Sequence, residues 1–274
     1  MTRTRGRLVA HVLLVIGVLI SMFPFYWMVV IATNSSATIF AFPPRLVPGD
    51  RLGANLRTVF ATTDFGGAFL NTAVVAVTTT VLVLFFDSLA AFAFAKFDFP
   101  GKRALFVVLL VTFLIPAQLA LVPQFVIMAH LGWVGSLKAL IVPGMVNAFG
   151  IFWMRQYSEG AVHSELLESG RLDGCSFFSL YWHVALPVLR PALAFLGIFT
   201  VIGAWNDFVW PLVVLTDPHR YTLQVALSQL SGLYVSDYSV IMAGTLLAVV
   251  PLLVVFLFGA RHFIRDLAAG SVKG

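Results

Sequence analysis

The sequence predicts an all-α polytopic membrane protein, with six transmembrane helices and both termini on the cytoplasmic side. Three observations carry this reading. Of 274 residues, 60% are hydrophobic and 11% charged, against roughly 25% charged in an average soluble chain, so a water-soluble globule is excluded. The apolar residues, 26 Phe among them, gather into continuous runs that reach the roughly 20 residues needed to cross hydrocarbon. Finally, the basic residues between the runs divide unequally between two sides. A closed barrel would need alternating rather than continuous apolar residues.

The six runs lie at about 8–32, 69–95, 104–129, 139–157, 192–216 and 240–260. The first follows Arg3, Arg5 and Arg7 and continues through Pro24 and its aromatic neighbours. It is too long for a signal core and lacks a small-residue cleavage site, so it is expected to remain as an anchor. The second run carries Asp87 near its end and stops at Lys96, before the turn Phe99-Pro100-Gly101-Lys102. The third holds Gln118 and the fourth Asn147; the fifth is entered past Pro187 and Pro191 and carries Trp205, Asn206 and Asp207 toward its outer half. The sixth is followed by Arg261, Arg265 and Lys273. Polar groups inside spans are costly in lipid. An amide and a carboxylate beside flat rings, as at Trp205-Asn206-Asp207, read first as hydrogen bonds between helices and second as contacts to a sugar-like solute. Asn147 and Gln118 carry the same two readings, and Asp87 is expected to be satisfied by a structural partner.

Six crossings place both ends on one face. Twelve basic residues fall on it: the three N-terminal arginines, Lys96, Lys102, Arg103, Arg155, Arg171, Arg190 and the three C-terminal ones. Five fall on the other: Arg45, Arg51, Arg57, Lys138 and Arg220. The first face is therefore cytoplasmic. The net charge of +5 reports this topology rather than a nucleic-acid surface, because the cations are scattered in small groups. One cysteine, Cys175, permits no internal disulfide, and the six His form neither an HExxH motif nor a close pair, so no metal site is expected. No GxxxxGK[ST] loop occurs, and no acid and base converge in an exposed loop, so the chain is not expected to be an enzyme or to bind a cofactor.

The stretches outside the spans, about 33–68 and 158–191, are too short for a catalytic domain. Within the second, SELLESGRLDGCSFFSLYWHVALPVLRP from Ser164 to Pro191 begins too polar for lipid and continues too apolar for a free loop. It is expected to form a short amphipathic helix with its leucines on one side, a turn at Asp173-Gly174 and a second helix, lying against protein. The outer loop from Asp217 to Ser239 carries Tyr221, Gln224, Gln229 and Tyr234. It reads either as a solvated surface helix or as a contact surface.

This segment resembles the cytoplasmic EAA-type motif of permease subunits of bacterial ATP-binding-cassette importers, which reads Glu-Ala-Ala, three residues, Gly, nine residues, Ile, one residue, Leu-Pro. Glu168 stands at the Glu, Gly174 at the Gly, Val184 at the Ile and Leu186-Pro187 at the end. Ser169-Gly170 replaces the Ala-Ala pair, and Cys175 stands where a small residue is usual. Several further stretches are similar to carbohydrate-uptake permeases of the maltose-transporter type: 90–102, Ile115-Pro116, Val122-Pro123-Gln124, Gly150-Ile151-Phe152, Ala204-Trp205-Asn206-Asp207-Phe208 and the tail 269–274.

The resemblance implies the type I importer permease fold, one permease domain over 1–274, and a site in the bacterial inner membrane. Implied partners are a second related permease chain, two cytoplasmic ATPase subunits that hold ATP and Mg, and an extracytoplasmic solute-binding protein. It also implies that Glu168, Ser169, Gly170, Arg171, Leu172, Asp173, Gly174, Leu186 and Pro187 couple to an ATPase. Trp205, Asn206, Asp207, Asn147 and Gln118 would line the pathway of a sugar or sugar derivative. Tyr221, Gln224, Gln229 and Tyr234 would face the binding protein or the substrate. A proton-coupled secondary transporter using Asp87 and Asp207, and an importer of a non-sugar solute, stand as alternatives.

Overall fold

The computed structural model describes residues 2–231 and 237–270. Among them the chain is helical throughout, with no β-strand. The helices are α1 (Thr2–Thr33), α2 (Ser36–Ile39), α3 (Leu52–Thr62), α4 (Phe65–Lys96), α5 (Lys102–Leu114), α6 (Leu121–His130), α7 (Lys138–Gly144), α8 (Ala148–Ala161), α9 (Ser164–Leu172), α10 (Phe177–Ser179), α11 (Leu186–Val188), α12 (Arg190–Asn206), α13 (Val209–Val214), α14 (Leu223–Ser228) and α15 (Tyr238–Gly270). Two compact units are present, one from 1–66 with 226–251 and one from 67–225 with 252–274.

Three helices are each long and apolar enough to cross a membrane unaided: Val9–Thr33, Phe65–Lys96 and Tyr238–Phe258. The number of candidate spans reaches five when two bent pairs are each taken as one. Apolar side chains stand bare on α1, Leu13, Leu14, Leu19 and Ile20 among them, as expected where lipid or another chain is the solvent.

The expected single helices at 104–129, 139–157 and 192–216 are each broken. In the first, Pro116 pushes Ile115 into extended backbone (φ −77°, ψ 123°), because a proline disfavours the helical conformation of the residue before it. The chain bends by 95° between Lys102–Leu114 and Ala117–His130. In the second, Asn147 is extended and its Oδ1 accepts from the Gly150 N–H at 2.7 Å, starting α8 as a fresh helix. In the third, Asp207 is extended (φ −65°, ψ 125°) and α13 restarts at Val209. Pro211 is tolerated there, because the first turn of a helix has no use for its missing N–H.

In the first unit, side-chain amides hold the segment after α1. Asn34 Nδ2 donates to the carbonyls of Val30 (2.8 Å) and Val47 (3.0 Å), and Asn55 Nδ2 to those of Ala32 (2.8 Å) and Asn34 (3.0 Å). Asp237 Oδ1 accepts from Ser36 Oγ at 2.6 Å and from the Ser239 N–H at 3.0 Å, which fixes the start of α15.

The core of the second unit forms where α4, α8, α9, the 180–189 stretch and α12 meet. Phe92, Met154, Leu167, Leu180, Tyr181, Leu189 and Leu196 are among its fully or almost fully buried members. Asp87 of α4 is completely buried beside it. Its Oδ1 accepts from the Asn147 N–H at 3.2 Å, which sets a carboxylate against the electropositive start of α8. Gly150 makes this approach possible: a Cβ there would collide with the Asp87 carboxylate. The break between α7 and α8 is thus the structural partner expected for Asp87, but for Oδ1 alone: Oδ2 is buried with no hydrogen-bond partner among the described residues.

Candidate functional site

The segment after α8 builds a knob from the sequence upward. Helix α9 has two faces, but its leucines are not gathered on one of them as the sequence suggested. Leu167 and Gly170 are buried, whereas Leu166 and Leu172 are exposed, Leu172 to 89%. The helix closes in a Schellman motif: the Cys175 N–H donates to the Gly170 carbonyl at 2.9 Å and the Gly174 N–H to the Arg171 carbonyl at 3.0 Å. Gly174 carries this turn at φ +80°, a region that side chains disfavour. Nothing lies within 4 Å of where its Cβ would be, so within this chain the glycine serves conformation rather than close approach. Close approach belongs to Gly170, where a Cβ would stand 2.6 Å from Leu180 Cδ2. The replacement of Ala by Gly at this point of the motif therefore lets α9 lie tightly on the next segment.

That next segment is not the plain second helix expected. It passes from α10 through a π-helical stretch, Leu180–Ala185, into α11. Pro187 has no N–H for the His183 carbonyl, and just before it the ladder takes the wider register. A bend of 82° separates Phe177–Val188 from α12. On the inner side Tyr181 Oη and Ser88 Oγ of α4 lie 2.8 Å apart in a hydrogen bond, and Leu180 and Ala185 are buried. On the outer side Phe178 (64%) and Trp182 (55%) are exposed with Leu166 and Leu172. The Arg171 guanidinium stands 5.4 Å from the centroid of the Phe97 ring. Glu168 is exposed at the rim of a cleft of ≈ 200 Å³ that it shares with Lys96, Ser164 and Arg171. Ser169 and Asp173 are also exposed, and Asp173 is the C-cap. Leu186 and Pro187 open α11.

At the broken helices a cavity of ≈ 320 Å³ opens between α4, α7 and α12. Asp207 and Asn147 line it with Thr79, Thr200, Thr222 and Phe199. The backbone N–H groups of Phe208 and Trp210 face the Asp207 carboxylate, and Thr200 Oγ1 donates to the Leu196 carbonyl at 2.8 Å. Thr79 and Thr222 are buried, and their hydroxyl oxygens have no hydrogen-bond partner among the described residues.

The family model for the binding-protein-dependent transport system inner membrane component matches residues 87–268. The chain belongs to this family. As an inner-membrane transport component it is similar over its whole length to the lactose transport system permease protein LacG of Rhizobium radiobacter, at 32% identity over 276 residues and 100% of each chain. It is 34% identical to the arabinooligosaccharides transport system permease protein AraQ of Bacillus subtilis over 206 residues, 75% of this chain and 73% of that one. It is also 32% identical to the sn-glycerol-3-phosphate transport system permease protein UgpE of Pectobacterium atrosepticum, over 94% of both. Among solved structures it superposes at a TM-score of 0.82, with 26% identity and coverage of 93% and 95%, on a chain of a bacterial ABC transporter involved in the import of the acidic polysaccharide alginate.

Within this transport component the residues predicted for the solute pathway separate. Asn147 and Asp207 meet at the cavity. Trp205 is buried, with its ring edge-to-face against Phe69 at 5.4 Å, and packs α12 on α4. Asn206 is exposed and folds back on its own helix, Nδ2 to the Ile202 carbonyl at 2.9 Å. Gln118 is exposed in the short 3₁₀ turn after Pro116 and does not line the cavity. In the segment from Asp217 onward, Asn71 Nδ2 donates to the carbonyls of His219 (3.0 Å) and Tyr221 (3.1 Å), and the Leu223 N–H to Thr72 Oγ1 at 2.7 Å. Gln224 Nε2 reaches Asn206 Oδ1 at 3.4 Å. Gln229 is exposed, and Tyr234 lies outside the described residues. Sequence reasoning missed Thr79, Thr200 and Thr222. The run Thr78-Thr79-Thr80 inside an apolar span was the available signal.

Proposed function

We propose that this inner-membrane component is one of two permease subunits of an ATP-binding-cassette importer and forms half of the pathway for a sugar or sugar derivative. The observation that carries the reading is the knob. It is a nine-residue helix closed by a left-handed glycine, pinned inward by Leu167, Leu180 and Tyr181 and presenting Leu166, Leu172, Phe178 and Trp182 outward. Bare apolar groups on a rigidly seated helix suit a cleft on a moving partner, which then turns the spans as a rigid body. Glu168, Ser169, Arg171 and Asp173 give the knob its polar rim, and Leu186-Pro187 joins it to α12. ATP and Mg belong to the two ATPase partners.

In this reading the chain crosses the membrane six times with both termini cytoplasmic, α7–α8 and α12–α13 being interrupted crossings. Helices broken beside a cavity are a recurring device of transporters, because backbone freed from the ladder is tolerated where it lines a cavity. Asn147 and Asp207 lie on the solute route. Tyr221 and Gln224, and separately Gln229, contact the extracytoplasmic binding protein or the substrate. The test is uptake by proteoliposomes that contain this chain, its companion permease and the ATPase, with the binding protein added. ATP-dependent uptake that vanishes without the binding protein is expected, and a cysteine at Leu172 should cross-link to the ATPase. Uptake driven by a proton gradient with no ATPase present would refute the proposal.

A further inference from the structure

We infer that the cavity at the broken helices takes an uncharged, polyhydroxylated solute and turns away anionic ones, so that the cargo is a neutral saccharide rather than a glycerol phosphate or a uronate. This rests on the importer reading above and narrows it. The relatives leave the matter open, since they include permeases named for lactose and for sn-glycerol-3-phosphate, and a transporter of an acidic polysaccharide. The cavity separates these possibilities by its charge.

Among the described residues no Lys, Arg or His lines it, and the one acidic side chain in the lining is that of Asp207. Asp207 follows the end of α12, where the last carbonyls lack helical partners and the helix dipole is negative. Two positive helix starts adjoin the cavity, and both are already taken: at α8 Asp87 Oδ1 accepts from the Asn147 N–H at 3.2 Å and Asn147 Oδ1 from the Gly150 N–H at 2.7 Å, and at α13 the Phe208 and Trp210 N–H groups face Asp207. A phosphate or carboxylate entering this space would find no donor cation, and the N–H groups beside it already face the Asp207 carboxyl.

The remaining lining fits sugar hydroxyls. Thr79 and Thr222 are more than nine-tenths buried, and their hydroxyls lack any hydrogen-bond partner among the described residues; buried polar atoms ordinarily have one. Beside them stand Asn147 and Phe199, the mixture of a few polar groups and apolar surface typical of a small-molecule site. At ≈ 320 Å³ the cavity is at the small end of such sites, which run from about 300 to 1,000 Å³. It therefore grips one ring at a time.

The test uses the assembled importer in proteoliposomes with its own binding protein. The probes are lactose, arabinotriose and a wider panel of neutral saccharides, set against sn-glycerol-3-phosphate and an alginate disaccharide. ATP-dependent uptake of a neutral member is expected, at least about ten-fold above either anion. Preferential uptake of an anion overturns the inference while leaving the importer reading intact. Absence of ATP-dependent uptake across the whole panel removes both.

The site is tested separately. Thr79→Val and Thr222→Val keep the side-chain shape and remove hydroxyls that hold nothing in the fold, so the complex should assemble while KM for the neutral cargo rises several-fold. Gly203→Leu projects a side chain into the cavity from a position with nothing within 4 Å of its Cβ, and should abolish uptake. Unchanged KM in both threonine variants overturns the assignment of the cavity, whatever Gly203→Leu does.

Discussion

Replacing Gly174 by valine tests the knob most directly. The residue sits at φ +80°, where an L side chain costs about 1–2 kcal/mol and a β-branched one more. If the backbone relaxes instead, the chain loses the Cys175 N–H to Gly170 and Gly174 N–H to Arg171 hydrogen bonds of 2.9 and 3.0 Å, each worth about 0.5–1.5 kcal/mol net. Either way the penalty, about 1–3 kcal/mol, falls on a helix of nine residues that is too short to hold itself together. The α9 terminus should unravel. The segment beyond it stays seated, because Leu180 and Tyr181 are buried on α4 and α8. The assay is ATP hydrolysis and solute uptake by the same reconstituted complex. The variant should insert and assemble, uptake should fall at least about ten-fold, and hydrolysis should become indifferent to the binding protein. Gly101→Val is the control, for Gly101 has the same φ of +80° and the same empty surroundings but lies outside the knob. Its uptake should stay near wild type. Wild-type coupling in Gly174→Val, or equal losses in the two variants, would refute the reasoning.

Other consequences are equally concrete. Gly150→Ala forces a Cβ into the buried Asp87 carboxylate and should lower stability by about 1–3 kcal/mol, seen as a lower melting temperature of the purified complex; an unchanged melt would mean that Asp87 is not fixed there. Ser88→Ala and Tyr181→Phe each remove one end of the 2.8 Å bond between α4 and the π-helical turn. Their double-mutant cycle should show a coupling of about 0.5–1.5 kcal/mol, whereas additive effects would deny the bond. With Cys175→Ala as background, Leu172→Cys should react with a membrane-impermeant maleimide from the cytoplasmic side alone, since Leu172 is 89% exposed. Labelling from outside would invert the topology.

Much was legible along the chain because lipid imposes a simple rule: apolar runs become helices. The helical class, the approximate positions of the long spans and the turn at Asp173-Gly174 follow from composition and local chemistry, for each depends on neighbours within a few residues. The motif spacing from Glu168 to Pro187 likewise pointed to the family before any contact was known. Tertiary structure decided what depends on residues distant in sequence. It gave Gly170 its reason, the Leu180 side chain ten positions on, and gave Gly174 a conformational one. It turned Trp205 into a packing residue against Phe69 and placed Gln118 away from the cavity. It also drew Thr79, Asn147, Thr200, Asp207 and Thr222 from separate elements into one cavity. A single polar residue in an apolar run looks the same whether it binds a neighbouring helix, its own backbone or a solute. Only the packing of helices remote along the chain chooses between them, because burial and hydrogen-bond partners are properties of the assembled fold.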